Sequence, residues 1–137
     1  MEKCEYIRFV GARIRNVWIV WNESWGEIEQ SSPVVVETSR GQLELWAVYI
    51  AELDITTDTV DLGRLPPNYD GCDLSLSWTN DKLPAQQAAQ GKLIARLAPA
   101  SGFGGAGLEV HHATGAFVGA NIGDEIGLAA LPERAGE

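Results

Sequence analysis

Cysteine is scarce in this chain, with Cys4 and Cys72 the only two among 137 residues. A single bridge could join them, but there is no disulfide framework and no Cys-x-x-Cys pair, so a reduced, cytosolic setting is expected. Long apolar runs are also missing. Val17–Trp21 and Ala47–Ala51 are far too short to span a bilayer. The first residues, Met1 to Arg8, hold neither an apolar core nor a cleavage-site pattern, which argues against a secretory precursor. Basic residues are outnumbered, 10 Lys and Arg against 19 Asp and Glu. Arg13 and Arg15 alone could neutralise only a couple of phosphates, so nucleic acid and anionic membrane are not expected partners. Histidine is limited to the adjacent pair His111 and His112.

What the chain does hold is acid, and the acid is concentrated. Residues 1–20 carry +2 and residues 74–137 carry −2, so the stretch Trp21–Asp73 accounts for the whole net charge of −9. Such a polarised surface steers basic partners toward itself. The chain also holds five Trp against one Met, which implies a few large fixed anchors and not an adaptable surface. Its length suits one globular domain over 1–137 that buries roughly two thirds of its unfolded surface.

Most of the sequence reads as strand. Tyr6–Val10 and Ile14–Trp21 are rich in β-branched and aromatic residues, with Gly11 as a bend between them. Val34–Thr38 and Leu43–Ile50 form a hairpin about Ser39-Arg40-Gly41-Gln42. Leu53–Thr57 and Thr59–Leu62 are short strand pieces, and Leu74–Trp78 alternates as a half-buried strand. Paired prolines make residues 65–71 irregular. Good helix formers over Pro84–Gly91 predict one short helix that Asp81 caps, followed by a strand over Lys92–Leu97. Leu108–His112 and Ala116–Ile122 form a second hairpin, and Glu133–Glu137 a frayed tail. The fold class expected is mainly β: an antiparallel sandwich or partly open barrel of about eight strands with one short helix. Its core should hold Ile14, Val35, Leu43, Leu45, Leu74, Leu76, Trp78, Ile94 and Val110.

Two halves, 11–62 and 91–131, share a faint pattern. Gly11-Ala-Arg-Ile14 resembles Gly91-Lys-Leu-Ile94, and residues 34–41 resemble residues 108–115. Each half reads as bend, strand, variable loop and Gly-turned hairpin.

No reaction announces itself. Gly102-Phe-Gly104-Gly105-Ala-Gly107 spells G-x-G-x-x-G, but the sequence after it reads as a strand, so no dinucleotide cofactor is expected. Adjacent strand histidines point to opposite faces and cannot share a metal ion, and the Asp spacings do not match a calcium loop. Acids beside Cys72 would raise its thiol pKa, the wrong direction for a nucleophile. No catalytic residue, cofactor or metal site is therefore assigned.

The constellation that remains is Trp21-Asn-Glu-Ser-Trp25-Gly-Glu-Ile-Glu29, two indoles in a segment with three acids. It suits an aromatic anchor rimmed by charge, the construction of an interface for a basic protein. The function expected is an acidic binding protein that neutralises a basic protein partner, in the manner of a bacterial toxin's immunity protein or antitoxin. Contact would centre on Trp21 and Trp25, with Glu23, Glu27 and Glu29 on the rim and Asp54, Asp58 and Asp61 extending it. The alternatives are a small β-barrel ligand-binding domain or enzyme, with a pocket lined by Trp18, Trp46, Tyr49 and Trp78 and served by His111, and a structural or accessory subunit whose strand edge pairs with itself or another chain.

Overall fold

The computed structural model describes residues 6–29, 31–48, 52–64, 75–100, 105–122 and 125–131. Among the described residues two antiparallel sheets stack as a sandwich, with no closed barrel. The first contains β1 (Ile14–Asn22), β2 (Glu27–Ile28), β3 (Val34–Thr38), β4 (Gly41–Val48), β5 (Glu52–Thr57) and β6 (Leu76–Thr79). Its order is β2-β1-β3-β4-β5, with β6 on the other side of β1. The helix α1 (Pro84–Ala89) leads into the second sheet, which runs β10-β9-β8-β7. Its strands are β7 (Ile94–Ala100), β8 (Gly107–His112), β9 (Gly115–Ile122) and β10 (Glu125–Ala130).

Period-two alternation sorts the side chains of each sheet. Val17, Val36 and Leu43 form one row across β1, β3 and β4, and Val34, Leu45 and Ile55 form another. Both rows face the second sheet, whose Ile94, Leu108, Val110, Phe117 and Ile126 complete the core. The sheets come very close at Gly119, where a Cβ would stand 2.5 Å from Leu45 Cδ1.

The intervening rows of the first sheet point outward and carry Trp18, Val35, Glu44, Thr56, Trp46 and Asp54. Segment 58–64 crosses this face. The amides of Thr59 and Val60 donate to the Glu44 carboxylate at 2.9 and 2.8 Å, and Trp78 Nε1 donates to Arg64 O at 2.8 Å. Thr56 and Thr59 hydroxyls donate to Glu44 as well, at 2.7 and 2.6 Å. A carboxylate with 0% exposure is tolerable only because these donors replace water.

The helix serves as a clamp. Buried Gln86 accepts from the amides of Lys82 and Leu83 through Oε1 and donates from Nε2 to Val17 O and Thr79 O, tying α1 to β1 and β6.

Several sequence expectations need correcting. Residues Ile7–Phe9 form a 3-10 turn, not a strand. Thr59–Leu62 is not a strand, because its amides bond to Glu44 instead of to a neighbouring strand. Leu83, not Asp81, occupies the helix N-cap position, and the helix ends at Ala89. Strands β2 and β10 were not foreseen. Ile14, Val35, Leu43, Leu45, Ile94 and Val110 are buried, but Leu76 and Trp78 are only half-buried, and Trp78 stands opposite Val20 on the outer face. Leu74, Tyr49, both cysteines and residues 133–137 lie outside the described residues.

Replacing Glu44 with Gln keeps the volume but turns one acceptor into a donor facing backbone amides. Glu44→Gln should destabilise the protein by about 2 kcal/mol or more in urea unfolding. A midpoint equal to that of the wild type would show that the carboxylate does not hold segment 58–64.

Candidate functional site

The segment singled out in the sequence is a β-hairpin that continues β1 beyond the point where β3 leaves it. Pairing with β3 ends at Trp18–Val35, and residues 19–22 pair instead with β6 on one side and β2 on the other. Asn22 builds the turn. Its carbonyl accepts from Gly26 N at 2.8 Å and its Oδ1 from Trp25 N at 3.1 Å, while Gly26 takes φ +65°, a conformation glycine reaches without strain. Asn22 is 2% exposed, and its side chain is engaged in the turn.

The two indoles have separate jobs. Trp21 is half-buried against the core, and Lys82 Nζ lies 5.7 Å from its ring centroid. Trp25 stands at the tip and is 72% exposed, the most exposed large hydrophobic among the described residues. It does not staple the loop onto the core. Glu23 pairs with Lys82 at 3.2 Å, Glu27 is exposed in β2, and Glu29 is half-buried with its amide donating to Val20 O at 2.8 Å.

The aspartates do not gather there. Asp54 is exposed on β5, opposite Trp46 and at the far side of the sheet. Asp58 lies at the other end of the strands, level with Asn16 and so about 20 Å along β1 from Asn22 at ordinary strand rise. It sits at φ +57°, accepts from Gln42 N at 2.8 Å and pairs with Arg8 at 3.1 Å. Gly41 is required beside it, because a Cβ there would come within 2.7 Å of Asp58 Oδ1. Asp61 closes a turn by accepting from Gly63 N at 2.8 Å. The structure thus brings together Trp25, Glu23 and Glu27, with Trp21 and Glu29 at the base, and places Asp54 and Asp58 away from them, while Asp61 belongs to the segment that crosses the outer face toward Trp78.

Bases converge at the Asp58 end, which sequence spacing did not reveal. Arg8 donates to Arg40 O, Arg40 donates to the carbonyls of Arg8 and Val10, and Arg13 donates to Gly91 O. Those bonds join segments 30 or more residues apart and engage the guanidinium groups with backbone. A polar recess of 410 Å³ beside them is lined by Arg15, Glu37, Gln42 and Asp58 among others.

The pocket imagined for Trp18, Trp46, Tyr49, Trp78 and His111 is not assembled from the described residues. Trp18, Trp46 and Trp78 share the outer face of the first sheet, with indole N–H groups bonded to Glu37, Thr56 and Arg64 O. His111 belongs to the second sheet, 2.8 Å from Glu109 and 3.1 Å from Arg96. His112 points to the opposite face, into the sandwich beside Phe117. No group of three metal-ligating side chains occurs among the described residues. Gly107 opens strand β8 and not a helix, so no helix N-terminus awaits a pyrophosphate there; Gly102 and Gly104 lie outside the described residues.

Burial, with lesser contributions from Lys92 and His111, holds the His112 pKa below the usual histidine value. The folded state therefore favours neutral imidazole, and the unfolded chain binds a proton more readily. The associated stability is present above pH 6.5 and is lost as pH falls through the folded value. Urea unfolding between pH 7.5 and 5 should show a slope that shrinks in His112→Gln; an identical slope would exclude His112 as its source. Trp25→Ala, at an exposed tip, should leave the melting temperature unchanged, and a fall of several degrees would mean that the indole packs in solution. Comparison of the chain with protein-family models, with characterised proteins and with solved structures finds no match.

Proposed function

We propose that this chain is an acidic binding protein that engages a basic protein partner through the β1–β2 hairpin, as a toxin's immunity protein or antitoxin does. The observation that carries the reading is the exposure of Trp25, 72%, at the tip of a hairpin whose turn is fixed by Asn22 and Gly26. A large indole carried on a turn whose backbone is already ordered costs little backbone entropy on docking and gains desolvated contact area, the profile of an interface hot spot. Glu23 and Glu27 supply the rim charge, and the net −9 of the chain supplies the long-range attraction. No helix among the described residues is long and apolar enough to cross a membrane. A cytoplasmic setting accords with the low cysteine content and, like a bacterial one, belongs to the same proposal.

In this reading Trp25, Glu23 and Glu27 form the centre of the contact, Trp21 and Glu29 support the hairpin, and Asp54 and Asp58 lie outside it. Pull-down from the host identifies the partner, and binding kinetics at two ionic strengths test the roles. Trp25→Ala should raise the dissociation rate by tenfold or more, and Glu23→Lys with Glu27→Lys should slow association most at low salt. Association rates that are equal at both ionic strengths for wild type and variant would reduce the hairpin acids to a solvated face.

A further inference from the structure

Gly11–Ile14 and Gly91–Ile94 lie side by side, antiparallel, with Arg13 opposite Leu93. Four backbone bonds join them. Gly11 N donates to Ile94 O at 2.7 Å and Gly91 N to Ile14 O at 2.7 Å; Ile94 N donates to Ala12 O at 2.9 Å and Ile14 N to Lys92 O at 2.8 Å. Exchanging each residue with the one 80 positions away turns this set of bonds into itself. Every antiparallel ladder is reciprocal in this way about its central pair; here the central pair, Arg13 and Leu93, also stands at the offset of 80 that relates β1 to β7, so the ladder's own twofold axis exchanges equivalent residues.

The correspondence extends through both halves. Before each glycine comes a helical turn: Val10 N bonds Ile7 O and Ala12 N bonds Phe9 O, as Gln90 N bonds Gln87 O and Lys92 N bonds Ala89 O. Gly11 and Gly91 take φ +90° and +82°. A register shift then falls between Ile14 and Asn16 against β3, and between Ile94 and Arg96 against β8. Adding 80 to residues 14–18, 74 to residues 34–48 and 73 to residues 52–57 converts every pair of β1–β3, β3–β4 and β4–β5 into a pair of the second sheet. Even the closing bonds agree, Asp58 N to Gln42 O and Leu131 N to Ala116 O.

We infer that the chain is two copies of one structural unit, residues 7–58 and 87–131, fused and assembled about a local twofold axis that passes by the Arg13–Leu93 bridge. β-hairpins share registers readily, but a matched bulge, matched positive-φ glycines and a ladder centred on a pair of equivalent residues are independent features. The axis explains the contact of Leu45 with Gly119. These positions are equivalent at an offset of 74, and where a residue meets its own counterpart only one of the two can be large. The copies diverge on their outer faces, where Trp18, Glu44, Trp46 and Thr56 correspond to Ala98, Val118, Ala120 and Ala129. They diverge again where the first copy inserts the Trp25 hairpin.

Two experiments on the full chain test the inference. The first exchanges the axial pair. Leu45→Gly leaves a void and Gly119→Leu a clash, whereas the double variant places the leucine on the opposite side of the axis, in the same space. The double variant should melt well above either single variant; melting at or below both overturns the axis. The second uses the turn, because Thr38 Oγ1 accepts from Arg40 N at 3.0 Å where His112 Nδ1 accepts from Thr114 N at 3.4 Å. His112→Thr should melt on the order of 4 °C above the isosteric His112→Val, the shift one hydrogen bond produces in a domain of this size. This pair decides the matter if the axial variants fail to fold, and equal melting temperatures overturn the equivalence of the two turns.

Discussion

The four hydrogen bonds between Gly11–Ile14 and Gly91–Ile94 are the constraint on which the sandwich rests. They are the one backbone ladder that joins the two sheets among the described residues, and each strand that leaves them starts the meander of its own sheet. Both strands enter the ladder from a glycine at positive φ, which lets the chain turn from a helical turn into extended backbone within one residue. Once this ladder fixes the crossing, Leu45 meets Gly119 and the inner rows of both sheets have only one way to interleave.

The outer face of the first sheet shows a second use of the same economy of contacts. A strand face built from Trp18, Trp46 and Val35 would be an exposed apolar patch, and segment 58–64 closes over it. The anchor of that closure is a charge, Glu44, whose burial is offset by backbone amides and threonine hydroxyls. Polar satisfaction at a single buried carboxylate therefore decides where the chain runs after β5.

Much of the fold was legible in the sequence because it was written in periodicity. β-branched residues over 14–22, 34–38 and 43–48 and the Ala-Gln run at 84–89 announced their elements through side-chain pattern alone. The misreadings share a physical cause. Residues 6–10 have strand-like side chains, yet the backbone there is bent to feed the ladder, and Thr59 and Val60 give their amides to Glu44. Strand β10 was overlooked because Gly127 and its alanines carry little strand propensity, although Ile126 and Leu128 alternate correctly. For the candidate site, composition marked the Trp21–Glu29 segment. It could not distinguish an indole that packs from one that projects, because that depends on where β3 departs from β1. The aspartates looked contiguous only because sequence order hides which end of a strand a residue occupies.

The hairpin tip has an optical consequence. All five indoles of the chain fall among the described residues, and four are half-buried while Trp25 faces water. Its emission should lie to the red of the others and be the component that acrylamide quenches most strongly. Glu23 and Glu27 flank it, so iodide should be repelled and caesium attracted, even though both reach a neutral surface equally well. The protein thus carries its own reporter for whatever covers the hairpin, without a label.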